Sequence, residues 1–356
     1  MNSPKDRAAD HNPDDVRSIA RRLAGLQELG FQRVDVSAPV MESTPLDGRT
    51  WKTIASRPAM STLVTVTVIS RSPTRAEEAA GRAFEEMDVL IGILSRFDPA
   101  SPLTYLNQQG RISGAPPELA RVVRQGLRFH QLSSGSFDPT VRPLVDLFQA
   151  HLAGENAGDP DEKDVGEALA MVDAAAVRVT GLRIAYARSG MSMTLDGIAK
   201  GYIVDQMAGV LRGKRLRNFL IDAGGDIRTS GFREDGRPWQ VAIQDPSRSD
   251  DFPAVLSLSG AAVATSGSYR GDVDTPRAYH HIVDSEEGRC PDRYWSVSVV
   301  APTSAQADAL ATTCYILDPL RALELVERTR GAACLIQARD GALLPSARWD
   351  RVAAPR

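Results

Sequence analysis

The sequence predicts an α+β fold, with mixed and largely antiparallel sheets against packed helices. Runs rich in β-branched and apolar residues, each of strand length, crowd the second half of the chain between 218 and 301. Apolar residues at helical spacing recur at intervals between 74 and 317. The two kinds of segment do not alternate as a regular βαβα pattern would, and no sequence repeat is visible, so a parallel doubly wound sheet is not expected.

Taken in order, residues 1–58 read as an N-terminal appendage or linker. A helical pattern around Val16–Leu29 gives way to a Ser/Pro/Thr/Gly-rich stretch through Pro45–Gly48. The folded body is expected over 59–356 as one domain. STLVTVTVIS (61–70) is strand-like, and Thr74 with Glu77 forms a capping box for a helix whose buried face is Phe84, Met87, Ile91 and Leu94. A second helix is expected from Pro117 to Leu132, stopping before Gly135. Val177–Ala187 reads as a hairpin turning at Thr180–Gly181. Ile198–Leu211 is helical, with Ile203, Met207, Val210 and Leu211 on one side and Gly213 beyond its end. Strands follow at Asn218–Asp222, Trp239–Gln244, Ala254–Leu258, Ala261–Thr265 and Trp295–Ala301. Thr303 and Gln306 open a helix that runs to Leu317, and a hairpin through Asp340–Gly341 closes the chain.

Composition narrows the functional classes. At 356 residues, 42% apolar and 24% charged, the chain is globular and long enough for one large domain or two ordinary ones. A net charge of -3 gives no electrostatic case for nucleic acid. The three cysteines, Cys290, Cys314 and Cys334, cannot all pair, and none forms a CxxC, which argues against a disulfide framework or zinc knuckle. Arg21 and Arg22 are not followed by an apolar segment, so no signal peptide is read. No run approaches the roughly 18 apolar residues of a membrane span. A cytoplasmic protein is expected, or a periplasmic or exported one if a leader is missing.

Five stretches hold more Gly, Asp, Ser, Thr and His than a packed core needs. SSGSFDPTV (133–141) is a small-residue turn ending in an exposed aromatic and a carboxylate, and read alone it is a turn in which Asp138 caps the segment after it. TLDGIAKGYIVD (194–205) is a strand end and a helix start carrying Lys200. Such a start suits phosphate oxygens, although a plain tight turn explains it equally well and neither GxGxxG nor GxxxxGK[ST] is present. DAGGDIRTSG (222–231) reads as a β-turn. AVATSGSYRG (262–271) is a strand end followed by hydroxyls. AYHHIVDSEEG (278–288) holds two of the five histidines. HHxxD is a poor metal triad by spacing, but one histidine titrating near neutrality could serve as a general base.

The helix at 306–317 poses a sharper question. Leu310, Cys314 and Leu317 form its buried side, while Asp308 and Thr312 lie about 40° apart on the other. Both carry hard oxygen donors suited to Mg²⁺ or Ca²⁺. By spacing alone the pair is a solvated face.

The order and wording of these segments change that reading. MST (60–62), SRFDPASPLTYLN (95–107), SGSFDPTV (134–141), LDGIAKGYIVD (195–205), GGDIRTSG (224–231), ATSGSY (264–269), HHIVDSEEG (280–288) and ADALATT (307–313) together resemble the ApbE family, the FAD:protein FMN transferases, from about residue 60 to 317. The resemblance implies Mg²⁺-dependent transfer of FMN from FAD, as substrate, to a threonine hydroxyl of an acceptor flavoprotein, with AMP leaving. By position it implies Asp308, Thr312 and the backbone carbonyl of Gly197 as metal ligands. It implies FAD contacts at Met60, Phe97, Ser136, Phe137, Asp138, Thr194, Lys200 and His280. His281 would take the proton from the acceptor threonine, and Asp284 would orient that histidine or the local loop. The family's carboxylate before Leu-x-Gly is Thr194 here, with Asp196 two residues on. The family's Asp-Pro after HHI is Asp284-Ser285, and Arg142 stands where the family has a small residue. Two other readings share these residues: a Mg²⁺-dependent FAD pyrophosphatase giving FMN and AMP, and an FAD-binding or storage protein without turnover.

Overall fold

In the computed structural model, residues 38–153, 160–245, 252–267 and 282–354 are described. The expected helix at Val16–Leu29 and the pair His280 and His281 lie outside them. Among the described residues no helix is long and apolar enough to cross a membrane.

The main layer is a nine-stranded sheet in the order β1-β2-β3-β7-β8-β11-β12-β13-β14, and every neighbouring pair in it is antiparallel. Its first half comprises β1 (Val40–Pro45), β2 (Trp51–Ala59), β3 (Thr62–Ser70), β7 (Asn218–Ala223) and β8 (Ile227–Ser230). Its second half comprises β11 (Ala262–Gly267), β12 (Tyr294–Ala301), β13 (Ala333–Ala338) and β14 (Leu343–Pro345). A three-stranded sheet holds β4 (Arg111–Ser113), β5 (Val177–Thr180) and β6 (Arg183–Tyr186), and a two-stranded one holds β9 (Trp239–Ile243) and β10 (Ala254–Leu258).

This layer corrects the expected boundary at 58/59. β1 and β2 pair along their whole length, and β2 pairs with β3 from Trp51 to Ala59. The sheet therefore begins at Val40, nineteen residues before the expected start at 59, since an edge strand such as β1, with alternate residues exposed, carries little apolar signal.

The helices cover the sheet. α1 (Pro73–Leu94) starts at Ser72, whose side chain accepts from the Arg75 amide, so the cap is Ser72-Pro73 and not the expected Thr74 box. Its Phe84, Met87, Leu90 and Leu94 are buried with Val64, Val66 and Val68 of β3. α2 (Pro102–Gln109), α3 (Pro117–Leu132), α4 (Arg142–Ala153) and α5 (Glu162–Leu169) follow. α6 (Ala199–Gly213) buries Ile203, Met207 and Leu211 in the same core, and α7 (Ser304–Ile316) and α8 (Pro319–Arg328) lie against the second half of the sheet. The pleat divides two further cores: Val299 and Cys334 face α7, whereas their neighbours Val300 and Leu335 face Leu256 of β10 and Trp349.

α7 is where the structure departs most from periodicity. From Ser304 to Ile316 only Gln306 and Thr312 are not fully buried, and Asp308 is 5% exposed. The helix has no wet face. It is wrapped by α6, β11, β12 and α8, as an Ala-rich helix hydrophobic all round should be.

Candidate active site

Four of the five polar stretches converge on the inner side of α7. Little room is left beside residue 197. A Cβ there would lie 3.1 Å from Thr312 Cγ2, 3.2 Å from Thr312 Oγ1 and 3.2 Å from Phe137 Cε2. The GIAKG turn, α7 and the 133–138 loop thus meet at one notch. Thr312 Oγ1 lies 3.3 Å from Ser266 Oγ at the end of β11, so a second hydroxyl orients the first. One turn along α7, Asp308 Oδ2 accepts from the Gly201 amide at 3.0 Å.

Charge at the notch is concentrated and buried. Lys200 Nζ lies 2.9 Å from Asp226 Oδ2, and Asp226 is 3% exposed. Burial, and then the neighbouring Asp226 carboxylate, push the Asp308 carboxyl well above the usual range against the opposing Lys200 ammonium. Burial works against the charge on Lys200, but Asp226 and Asp308 outweigh it and raise its pKa. One ammonium thus faces two buried carboxylates, an arrangement that favours a further cation.

Other expected residues sit around this centre. Met60 (φ 51°) and Ser61 (φ 61°) form the left-handed two-residue turn between β2 and β3. Thr62 beside it packs so tightly on Gly224 that a methyl group at 224 would overlap it, which brings Met60 next to the turn holding Asp226. Phe97 is exposed, and its ring lies 4.2 Å from the guanidinium of Arg96. Arg96 is buried and donates to Asp196 Oδ2 at 2.7 Å, to Asp146 at 3.2 Å and to Gln149 at 3.3 Å. Asp196 therefore anchors the turn to the Phe97 loop.

The 133–138 loop is held more firmly than a free turn. Ser136 is buried, and Phe137 is buried where an exposed aromatic was expected, 5.9 Å from Phe129 between ring centroids. Asp138 is committed to its own loop. Its Oδ1 accepts from the Thr140 amide at 2.7 Å and hydroxyl at 2.5 Å, and its Oδ2 accepts from the Ala174 amide at 3.1 Å and lies 3.3 Å from His130 Nδ1. Thr194 also serves the turn: its amide donates to the Pro139 carbonyl at 2.8 Å and its hydroxyl accepts from the Asp196 amide at 3.1 Å. The start of α6 is likewise occupied, since the Ile198 and Ala199 amides bond the Leu195 carbonyl and Gly201 bonds Asp308. These three amides are not free to meet phosphate oxygens, the reading that stood level with a plain tight turn in the sequence.

Beyond the undescribed histidines, Asp284 Oδ1 accepts from the amides of Glu286 at 2.8 Å and Glu287 at 3.2 Å. Its carboxylate orders this loop, and its relation to His281 lies outside the described residues. Ser285, the departure from the family pattern, donates to the Gly135 carbonyl at 3.3 Å and docks this loop on the 133–138 loop.

Sequence reasoning missed Asp226 and Arg96. Asp226 follows Gly224 (φ 69°) and Gly225 (φ 97°), two left-handed glycines that turn its side chain onto Lys200. A paired GG before a carboxylate was the available signal, read instead as an ordinary turn.

The family model of the ApbE family matches residues 60–336. The FAD:protein FMN transferase of Treponema pallidum is 31% identical over 303 residues, covering 78% of this chain and 82% of its own. That of Klebsiella pneumoniae is 29% identical over 323 residues, covering 86% and 87%. A crystal structure of an ApbE protein from Thermotoga maritima is similar with a TM-score of 0.76 at 28% identity, over 85% of this chain and 100% of its own. The flavin transferase ApbE of Vibrio cholerae gives 0.73 at 25% identity, over 88% and 100%.

Proposed function

This chain belongs to the ApbE family, and on that premise we propose that it moves FMN from FAD onto a threonine hydroxyl of an acceptor flavoprotein, with Mg²⁺ bound and AMP released. The observation that carries the reading is the meeting of the Gly197–Gly201 segment with Thr312 and Asp308 of α7.

The donors there fit Mg²⁺: a carboxylate, a hydroxyl and a backbone carbonyl are all hard oxygens. Among the described residues no cluster of three or more His, Cys, Asp or Glu side chains could hold a metal. Magnesium suits such a site, since it is held by one or two carboxylates together with substrate phosphates and water. Bound there, it would withdraw charge from the pyrophosphate oxygens.

The chain's own groups account for the rest. Asp308 supplies the carboxylate ligand: burial and the Asp226 carboxylate raise its pKa, and a bound cation would take the place of the proton that this favours. Lys200, held charged by Asp226, adds fixed positive potential beside the phosphates. Met60 and the exposed Phe97 ring offer apolar surface to the rings of FAD, while Ser136, Phe137, Asp138 and Thr194 shape the wall behind them. His280 is assigned to FAD and His281 to the proton of the acceptor hydroxyl. The threonine oxygen then bonds to the FMN-side phosphorus, the bond from that phosphorus to the bridging oxygen breaks, and AMP carries the bridging oxygen away.

Intact-mass measurement of an acceptor bearing a target threonine, incubated with the protein, FAD and Mg²⁺, tests this directly. An added FMN phosphoester with equimolar AMP is expected. Release of FMN and AMP with the acceptor unmodified would instead identify a pyrophosphatase, and FAD recovered bound and intact a storage protein.

A further inference from the structure

Asp308 and Thr312 both ride on α7, so whatever fixes α7 against α6 fixes the metal-facing oxygens against Gly197. Two contacts, one helical turn apart on α6, do so. At Gly201 the helices meet backbone to backbone: a methyl group there would overlap the Ser304 carbonyl, and the Gly201 amide reaches Asp308. Four residues on, Asp205 spans the start of α7. Its Oδ1 accepts from the Ser304 amide at 3.0 Å and its Oδ2 from the Ala305 amide at 3.0 Å.

Those two amides belong to the first turn of α7 and have no acceptor inside the helix. A carboxylate placed there also meets the positive end of the helix dipole. Thr303, the ordinary N-cap, covers only the Gln306 amide, so Asp205 does work the local sequence of α7 cannot do. Behind it stands Arg228 of β8, with Nε 3.7 Å from Asp205 Oδ1 and a terminal nitrogen donating to the Pro302 carbonyl. Asp205 is itself mostly buried, its side chain 17% exposed, so a lost contact would not be replaced freely by water.

We propose that Asp205 is a positioning residue for the transfer reaction: through α7 it sets where Asp308 and Thr312 stand relative to Gly197. It touches neither substrate nor metal. Asp308 lies four residues beyond Ser304, about 6 Å along the axis at roughly 1.5 Å per residue, so a shift of the helix start carries directly to the ligand. The proposal rests on the Mg²⁺ site proposed above.

The test compares wild type, Asp205→Asn and Asp205→Ala. Mn²⁺ affinity is read by electron paramagnetic resonance without FAD, and the Mg²⁺ dependence of kcat, the KM for FAD and the melting temperature are read separately. Asparagine keeps the size but turns one acceptor into a donor facing an amide. A weakening of Mn²⁺ binding by about tenfold is expected for it, and more for alanine, from the loss of charged hydrogen bonds. Saturating Mg²⁺ should restore much of the asparagine variant's kcat, with the KM for FAD within about twofold of wild type. Val326→Ala, a cavity in α8 away from the notch, supplies a variant of lowered melting temperature and wild-type Mn²⁺ affinity.

A folded Asp205→Asn or Asp205→Ala protein with wild-type Mn²⁺ affinity and Mg²⁺ dependence would overturn the proposal, whatever its melting temperature. Should neither fold, Arg228→Met, which loosens the same carboxylate from outside, must show the Mn²⁺ weakening or the proposal fails. A wild type that binds no Mn²⁺ overturns this proposal together with the metal reading. A wild type that binds Mn²⁺ but labels no acceptor refutes transfer alone and leaves the affinity comparison decisive for Asp205.

Discussion

Asp308 is a buried carboxylate beside a second one, Asp226, with Lys200 as the neighbouring ammonium. Such a cluster is costly unless a cation completes it. Asp308→Ala should therefore abolish Mg²⁺-dependent AMP release, a loss of about a hundredfold or more if the charge acts on the transition state; activity within a factor of two of wild type would remove Asp308 from the metal site. Thr312→Val, which keeps volume and removes one oxygen, should weaken Mg²⁺ binding less, since water can fill the vacated position. His281→Ala should slow acceptor labelling while FAD binding, followed by calorimetry, stays near wild type; loss of binding without a separate effect on the rate would contradict its role as base. At this scale the sequence was legible in residue types but not in surroundings. Spacing placed Asp308 and Thr312 on one side of a helix correctly, yet made that side wet. The small alanines at 305, 307, 309 and 311 let neighbouring elements close in all round, and alanine carries too weak a hydropathy signal to announce it.

The loop between α3 and α4 shows how an element holds the site wall. His130, near the end of α3, faces Asp138 at 3.3 Å. The Asp138 carboxylate beside it is the largest influence on His130 and raises its pKa above 6.5. For Asp138, burial opposes ionisation, but the nearby His130 and the bonds from Thr140 prevail and hold its pKa below 3.8. The histidine's contribution to stability is complete below about pH 6.5 and fades as pH rises through its raised folded value. The aspartate's is complete above about pH 3.8 and fades as pH falls through its lowered one. Between those limits both act. The gap in melting temperature between wild type and His130→Ala should thus be widest near pH 5 and narrow above neutrality; a gap constant from pH 5 to 9 would mean that charge plays no part. Helix contact gives a second expectation. Gly201→Ala forces a methyl group into the Ser304 carbonyl, and urea unfolding should show destabilisation of about 1–3 kcal/mol, as for other overpacked sites. Most elements could be read from the sequence pattern, including β3, α3, α6 and the hairpins β5–β6 and β13–β14. β1 and β2 were hidden because Pro45, Pro58 and the polar residues between them resemble a linker, and only pairing with β3 reveals the strands.

Across the whole molecule, one antiparallel sheet joins two halves that each bring part of the site. The first half supplies the Met60 turn through β2 and β3 and the Asp226 turn through β7 and β8; the second supplies Ser266 through β11 and backs α7 through β12 and β13. The helix pair α6 and α7 crosses from one half to the other, so Gly197, about 110 residues from Asp308 in sequence, reaches the same notch. Convergence over such separations has no local signature. Only the succession of phrases, from MST to ADALATT, pointed to it. The central claim is that this notch is the Mg²⁺-dependent centre of FMN transfer. It is tested most directly by titrating Mg²⁺ into wild type and Asp308→Asn with FAD and an acceptor, then reading covalent flavin fluorescence on the acceptor in a denaturing gel. Saturable, Mg²⁺-dependent labelling by wild type and none by the variant is the predicted result. Equal labelling by both proteins, or labelling indifferent to Mg²⁺, would contradict the account.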